Sequence, residues 1–128
     1  MSRKMITGIE SPQVILKPWG WEKLWANTDK YAGKMIHIYP GHQLSLQYHE
    51  IKDETIYVLS GVVKAYSTKY EVEHVMSEGM CWRVYPGAVH RFAAPKNGPP
   101  VVLLEVSTPE LDDVVRLEDD YGRIADEK

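Results

Sequence analysis

Cysteine and long apolar runs are both scarce in this chain of 128 residues. The single cysteine, Cys81, cannot form an internal disulfide, so the fold must be stabilised by its own core. No stretch approaches the roughly 20 apolar residues that cross a bilayer, and the opening residues lack the apolar run of a signal peptide. We therefore expect a cytoplasmic protein that has no membrane partner.

Basic residues do not outnumber acidic ones. The chain has 15 Lys and Arg against 18 Asp and Glu, a formal net charge of −3 at pH 7, so a basic surface for nucleic acid is not expected. A small anionic ligand is not excluded, because a pocket can gather a few basic side chains locally. The length predicts one domain, residues 1–128, that buries a core of its own.

Short strand-like segments, separated by Gly and Pro turns, make up most of the chain. They lie at 34–39, 44–49, 55–59, 62–67, 71–75, 80–85, 90–94 and 101–107. Their spacing of roughly ten residues is typical of an all-β sandwich or barrel. Within the domain we expect a leader over 1–13, an aromatic-rich N-terminal arm over 15–25, a barrel over 34–107 and a tail over 108–128. The tail is predicted to form a turn of helix within 111–119.

Four polar side chains have a spacing that suits a divalent metal site. Gln47 and His49 are two residues apart, so in a strand they face the same side. Glu54 follows a polar turn, and His90 follows the rigid turn Pro86-Gly87. Two imidazoles and two oxygens suit zinc first, with manganese, iron, cobalt and nickel as alternatives. The competing interpretation is that the histidines are ordinary strand residues and Glu54 caps a turn.

These residues resemble the motifs of the cupin superfamily. The first motif, G-x5-H-x-H-x(3,4)-E-x6-G, is similar to Gly41, Gln47, His49, Glu54 and Gly61, with Gln47 at the first histidine. The second, G-x(5,6)-P-x(0,1)-G-x2-H-x3-N, is similar to Gly79, Pro86, Gly87 and His90, with Ala94 at the final asparagine. The resemblance implies a six- to eight-stranded antiparallel jelly-roll barrel, or double-stranded β-helix, with one metal ion inside. It also implies a homodimer, which open sheet edges and the aromatic arm favour.

A closer resemblance covers residues 15 to 124. The segment PGHQLSLQYH is similar to the PGxxLSLQxH stretch of type II mannose-6-phosphate isomerases, in which glutamine is usual at the first ligand position. KPWG resembles the family's RPWG, and LEDDYGR resembles its closing motif. In many proteins this cupin region is the C-terminal domain of a bifunctional isomerase and mannose-1-phosphate guanylyltransferase. The chain itself contains no Gly-rich phosphate loop, so guanylyl transfer is not expected from it.

The chain departs from the family around the carboxylate. Where the family commonly has His-His-x-Arg-Ala-Glu-His-Trp, residues 49–56 read HEIKDETI. The second histidine, the arginine and the histidine after the glutamate are absent. We therefore expect fewer basic groups near the metal.

The resemblance implies a metal-dependent isomerase that interconverts mannose 6-phosphate and fructose 6-phosphate in carbohydrate or polysaccharide precursor metabolism. Lys34 and Arg123 are the predicted catalytic residues, and Arg91, Lys34 and Arg123 are predicted to bind the phosphate of the sugar phosphate. The base that moves the proton stays open between Lys34 and Glu50.

Two other functions are consistent with the same residues. One is a non-enzymatic cupin that binds a sugar or sugar nucleotide and assists a partner, which the missing basic residues favour. The other is a metal-dependent dioxygenase, which Gln47 disfavours because oxygenase cupins usually present three histidines and a glutamate.

Overall fold

The computed structural model describes residues 8–67 and 72–124, and this part of the chain is built from β-strands. The strands are β1 (Gln13–Lys17), β2 (Gly20–Asn27), β3 (Ala32–Ile38), β4 (Leu46–Tyr48), β5 (Glu54–Ser60), β6 (Val63–Ser67), β7 (Val72–Met76), β8 (Cys81–Val84), β9 (His90–Ala93), β10 (Val101–Ser107) and β11 (Val115–Glu118). No helix long and apolar enough to span a membrane is found among the described residues.

The strands form two antiparallel sheets. One has the order β1-β2-β3-β10-β5-β8 and the other the order β11-β4-β9-β6-β7. Strands β3 to β10 are the eight strands of a jelly roll, which confirms the predicted all-β fold. Outside these eight strands, the N-terminal arm pairs with β3 as the hairpin β1–β2, and the tail adds β11 beside β4.

The predicted turn of helix in the tail is also wrong. Residues Val115–Glu118 form a strand in which Val115 pairs with Tyr48 and Arg116 pairs with Gln47. The edge of β4 presents unpaired backbone groups, and a neighbouring strand supplies their hydrogen-bond partners. An isolated helix as short as this is unstable in water, so the sheet edge determines the local structure.

Two motif glycines lie where the backbone requires them. Gly41 and Gly61 have φ angles of 78° and 85°, a region that L-residues with a side chain rarely adopt. A Cβ on Gly61 would also approach the carbonyl oxygen of Pro100 to 2.7 Å. The tight connection from β5 to β6 therefore depends on glycine at this position.

The inward faces of several strands change from apolar to polar along their length. In β10, Val101 and Leu103 are fully buried and are followed on the same face by Glu105. In β5 the order is reversed, since buried Glu54 precedes buried Ile56. Because the strands are antiparallel, both polar positions lie at the same end of the sandwich, and the apolar core fills the other end.

Candidate metal centre

His49, Glu54 and His90 meet at the polar end of the sandwich. His49 follows β4, Glu54 begins β5 and His90 begins β9, and all three side chains are buried. Each residue offers one donor atom, and these atoms lie within 4.8 Å of one another. His49 Nε2 and Glu54 Oε1 are 2.8 Å apart. Donor atoms that share one ion are typically about 3 Å apart, so the cluster has the dimensions of a metal site.

Backbone carbonyls orient both imidazoles. The Nδ1 of His49 lies 2.6 Å from the carbonyl oxygen of Asp113, and the Nδ1 of His90 lies 2.9 Å from that of Ala88. A carbonyl can only accept, so each Nδ1 carries the hydrogen and each Nε2 directs a lone pair inward. This arrangement is typical of metal-binding histidines.

The inward-facing donor atoms lack hydrogen-bond donors. Within the described residues His49 Nε2, His90 Nε2 and Glu54 Oε1 are all buried without a hydrogen-bond partner. Buried acceptors without partners are costly, and here three of them face one another. A cation between them would satisfy all three, so these residues fit a metal ion.

Gln47, the fourth predicted ligand, lines the same cavity as His49 and Glu54. It pairs in register with His90 across β4 and β9, and its Oε1 accepts a hydrogen bond of 2.6 Å from Ser45 Oγ. Ser45 thus holds the amide oxygen beside the cluster. A role for Gln47 as a metal ligand stays a prediction.

Asp113 organises the turn that carries the centre. Its carboxylate accepts backbone hydrogen bonds from Glu50, Ile51 and Lys52, at 2.7 to 3.0 Å, while its carbonyl oxygen binds His49. Burial raises the pKa of this carboxyl, but the three N–H donors outweigh it and lower the pKa on balance. Asp113, in the segment between β10 and β11, therefore holds both the β4–β5 turn and the imidazole of His49 in place.

Lys52 is a site residue that the sequence analysis missed. Its side chain is buried, and its Nζ lies 3.3 Å from Glu54 Oε1 and 3.1 Å from Glu105 Oε2. Burial lowers the pKa of Lys52, but the two carboxylates raise it on balance above its ordinary value. The prediction of fewer basic groups near the centre is therefore wrong at residue 52. The signal was present, because Lys52 occupies the place of the family's arginine.

Glu105 is the second residue that was missed. It is a lone acidic residue in the apolar strand VVLLEVS and shares the inward face with Leu103. Burial, together with the charge of Glu54, raises its pKa from 4.5 to about 7, against the opposing charges of Lys52 and Lys34. A carboxyl group in an apolar run is the sequence signal that could have identified it.

The pKa values of Glu54 and His90, two of the candidate ligands, are lowered, whereas that of Glu105 is raised. Burial raises the pKa of Glu54, but the adjacent imidazole of His49 and the charge of Lys52 lower it on balance well below its usual range. Burial lowers the pKa of His90, which keeps this imidazole neutral near pH 7. Both groups are thus in the protonation state that binds metal.

The cluster faces a small polar cavity of about 80 Å³. Its walls include the predicted residues Lys34 and Arg123. The Nζ of Lys34 lies 3.3 Å from Glu22 Oε1, and the guanidinium of Arg123 donates to both carboxylate oxygens of Asp119, at 2.8 and 2.9 Å. Glu50, the alternative base, is exposed, and its backbone N–H binds Asp113.

Arg91 does not reach this cavity. It is next to His90 in β9, so its side chain projects from the opposite face of the sheet. There it lines a separate groove of about 250 Å³ and donates hydrogen bonds to the carbonyl oxygens of Leu44 and Glu118. The structure thus brings together six of the seven predicted site residues and leaves Arg91 outside.

A larger groove, of about 820 Å³, lies along β7 and β8. Its walls are mainly apolar and include Met76, Met80 and Tyr85, and they contain none of the metal-cluster residues. Trp82 borders this groove and contacts His90 edge-on, with ring centroids 6.4 Å apart. Ala88, whose carbonyl oxygen accepts from His90, also lines the groove, so the groove lies behind His90.

An antiparallel jelly roll with two histidines and a glutamate buried at one end defines a cupin fold. A solved cupin-like protein from Thermotoga maritima shares it, with a TM-score of 0.69 and 15% identity over 84% of this chain and 82% of its own. The model of the family described as "Mannose-6-phosphate isomerase C-terminal" matches residues 7–119. The chain therefore belongs to that family, as its motifs predicted.

Two longer proteins are similar to most of this chain. The chain is 32% identical over 112 residues to the xanthan biosynthesis protein XanB of Xanthomonas campestris pv. campestris, covering 85% of this chain. It is 33% identical over 113 residues to a mannose-1-phosphate guanylyltransferase of Escherichia coli (strain K12), covering 86% of this chain. It spans only 23% of the length of either protein.

Proposed function

We propose that this chain is a metal-dependent sugar-phosphate isomerase of the mannose 6-phosphate and fructose 6-phosphate type. The observation that carries the proposal is the convergence of His49, Glu54 and His90 beside a cavity walled by lysines and arginines. Membership of the isomerase C-terminal family supports it. An aldose–ketose isomerase needs oxyanion stabilisation, a proton-transferring group and cations for phosphate, and the described residues offer all three.

Gln47, His49, Glu54 and His90 would hold the ion, and two imidazoles with a carboxylate favour zinc. When bound, a divalent ion supplies Lewis acidity that stabilises the oxyanion at the substrate's carbonyl. Lys52 is close enough to add a second positive charge, because its Nζ lies 3.3 Å from Glu54 Oε1.

We assign the proton transfer to Glu105. Isomerisation moves one proton from C2 of the aldose to C1 and another from the C2 hydroxyl to the C1 oxygen. One group must therefore accept the carbon-bound proton and then release it. Glu105 is buried on the cavity wall, outside the ligand set, and Lys52 holds its carboxylate at 3.1 Å. A pKa of about 7 suits both steps near neutral pH.

The cavity is too small for a whole hexose phosphate in its present conformation. Ligand pockets usually measure about 300 Å³ or more, whereas this cavity measures about 80 Å³. Leu111, Val114 and Arg116 form the wall contributed by the C-terminal segment. A whole hexose phosphate therefore requires this segment to shift outward when it binds.

The isomerase proposal predicts that the purified, zinc-loaded protein converts mannose 6-phosphate to fructose 6-phosphate and that a chelator abolishes the conversion. His49→Ala is expected to remove bound metal and turnover together, because it deletes a ligand that Asp113 orients. A coupled assay measures turnover and elemental analysis measures the metal. The matched control is His74→Ala, an exposed histidine of β7.

The same assay tests the assigned base. Glu105→Gln keeps the shape of the side chain but cannot accept a proton, so kcat is expected to fall about 100-fold or more while metal content stays unchanged. Undiminished kcat in Glu105→Gln would remove Glu105 from the mechanism. Turnover by metal-free protein would contradict the isomerase proposal as a whole.

Sugar or sugar-nucleotide binding without turnover is the second candidate function. The observation that favours it is that residues 49–56 read HEIKDETI, without the two further histidines of the family pattern. Affinity for mannose 6-phosphate without conversion, in protein that contains its metal, would support this candidate over the isomerase.

We also propose a homodimer formed through the outer face of the six-stranded sheet. A row of residues crosses this face and includes Val14, Leu104 and Tyr57, and Leu16 lies beside it with 80% exposure. Exposed apolar side chains in one patch are typical of interfaces. Sedimentation equilibrium is expected to give twice the chain mass, and Leu16→Glu is expected to return the monomer. A monomeric wild-type protein at high concentration would contradict the proposal.

A further inference from the structure

The groove of about 820 Å³ opens between the free edges of the two sheets. Strand β8 is the last strand of the six-stranded sheet, and β7 is the last strand of the five-stranded sheet. Ser67 and Met76, which line the groove, are each only 5% exposed, so they face the interior of the sandwich. The groove therefore enters the gap between the sheets. The mouths of β-barrels are common places for small-molecule sites, whose volumes are about 300–1,000 Å³.

Aromatic rings and thioethers form the walls of this groove. Trp82 contacts the rings of His90 and Phe92 edge-on, with centroids 6.4 and 5.8 Å apart, so its indole is held in one orientation. Met80 and Tyr85 line the same groove, and thioether sulfur makes favourable contacts with aromatic rings. Packed sheets lie about 10 Å apart, so the gap admits a flat ring between the side chains of the two sheets.

The guanidinium on the wall of the groove is already paired. Arg83 is the one lysine or arginine among the described residues that line the groove, and no aspartate or glutamate is among them. Its guanidinium donates to both carboxylate oxygens of Asp53, at 2.6 and 3.1 Å, and stacks 4.2 Å from the ring centroid of Tyr85. A charged ligand would lose hydration here without gaining a free partner of opposite charge. The groove is therefore complementary to an uncharged ligand.

We infer that this groove binds an uncharged small molecule that carries an aromatic ring. The ring packs between Met80, Trp82 and Tyr85. A protein partner would rest on the rims of the groove, whereas a small molecule reaches the buried surface of Ser67 and Met76. The metal-cluster residues do not line the groove, so the inference does not rest on the proposed isomerase.

The uncharged aromatic probe N-phenyl-1-naphthylamine, whose fluorescence increases in apolar surroundings, tests this site. It is titrated into the full chain. Met80→Glu and Tyr85→Glu are each expected to weaken probe binding at least about tenfold, because each places a hydrated carboxylate in the apolar wall. The matched control is Tyr31→Glu, since Tyr31 is 56% exposed against 58% for Tyr85 but lies outside the groove. Thermal unfolding verifies that each variant is folded.

The outcomes separate a small-molecule site from its alternatives. Saturable binding of one probe per chain, weakened in both groove variants and unchanged in Tyr31→Glu, supports the site whether or not mannose 6-phosphate is turned over. No saturable binding to the wild-type protein, or an equal loss in Tyr31→Glu, overturns it. Sedimentation equilibrium tests the remaining occupant. Dissociation of a wild-type dimer by Met80→Glu would assign the groove to a second copy of the chain and would also overturn the inference.

Discussion

Glu54→Gln is expected to lower the affinity of the protein for zinc at least ~100-fold. Loss of residues that merely orient metal ligands costs about 10- to 100-fold, and Glu54 would contribute the only carboxylate in the predicted ligand set. The substitution keeps the side-chain volume but removes the negative charge that faces His49, His90 and Lys52. Competition with a chromophoric chelator measures the affinity, and elemental analysis measures the content.

The control for this substitution is Glu73→Gln, an exposed glutamate of β7. It changes the net charge by the same amount without touching the centre, so its zinc affinity is expected to equal that of the wild type. Wild-type stoichiometry and affinity in Glu54→Gln would show that the ion is held elsewhere. That result would remove the basis of the isomerase proposal.

Lys52→Met is expected to lower the free energy of unfolding by about 3–5 kcal/mol in the metal-free protein. The substitution fills the same space with an apolar side chain and leaves Glu54 and Glu105 buried without their shared cation. Removing one partner of a buried ion pair typically costs this much. Urea or thermal unfolding measures it, with Lys64→Met, at an exposed position in β6, as the control.

The loss in the free energy of unfolding caused by Lys52→Met, called the deficit below, is expected to increase with pH. The folded-state pKa of Glu105 is raised from 4.5 to about 7, so its contribution to stability is present below pH 4.5 and is lost as the pH rises through 7. Without Lys52 the ionised form of Glu105 is still less favourable, so the deficit should be larger at pH 8 than at pH 5. A deficit independent of pH, or one that Glu105→Gln does not reduce, would contradict this account.

The predicted metal set could be read from the sequence because its geometry is local. Gln47 and His49 share a face through the two-residue period of a strand, and a short turn separates them from Glu54. His90 was located by the rigid turn Pro86-Gly87. The structure brings His49, Glu54 and His90 into one cluster, and Gln47 lines the adjoining cavity.

The ionic environment of the cluster could not be predicted in the same way. Lys52 is placed by contacts with Glu54 in β5 and Glu105 in β10, and β10 is brought beside β5 only by the sheet order. Sequence distance gives no information on such a contact. Arg91 was expected to bind phosphate, but it follows His90 directly in the strand. The pleat therefore points its side chain to the outer face of the sheet, away from the cluster.

By itself, the sequence determined the strand pattern and the residues of the candidate metal centre, because these follow from spacing within single strands and turns. The jelly-roll class followed from the resemblance of its motifs to those of the cupins. Only the tertiary structure decided that the tail forms β11 rather than a helix, since the free edge of β4 supplies its backbone partners. It also decided that Glu105, Lys52 and Lys17 face the metal cluster's cavity, because pairing between distant strands sets which inward positions share one end of the sandwich.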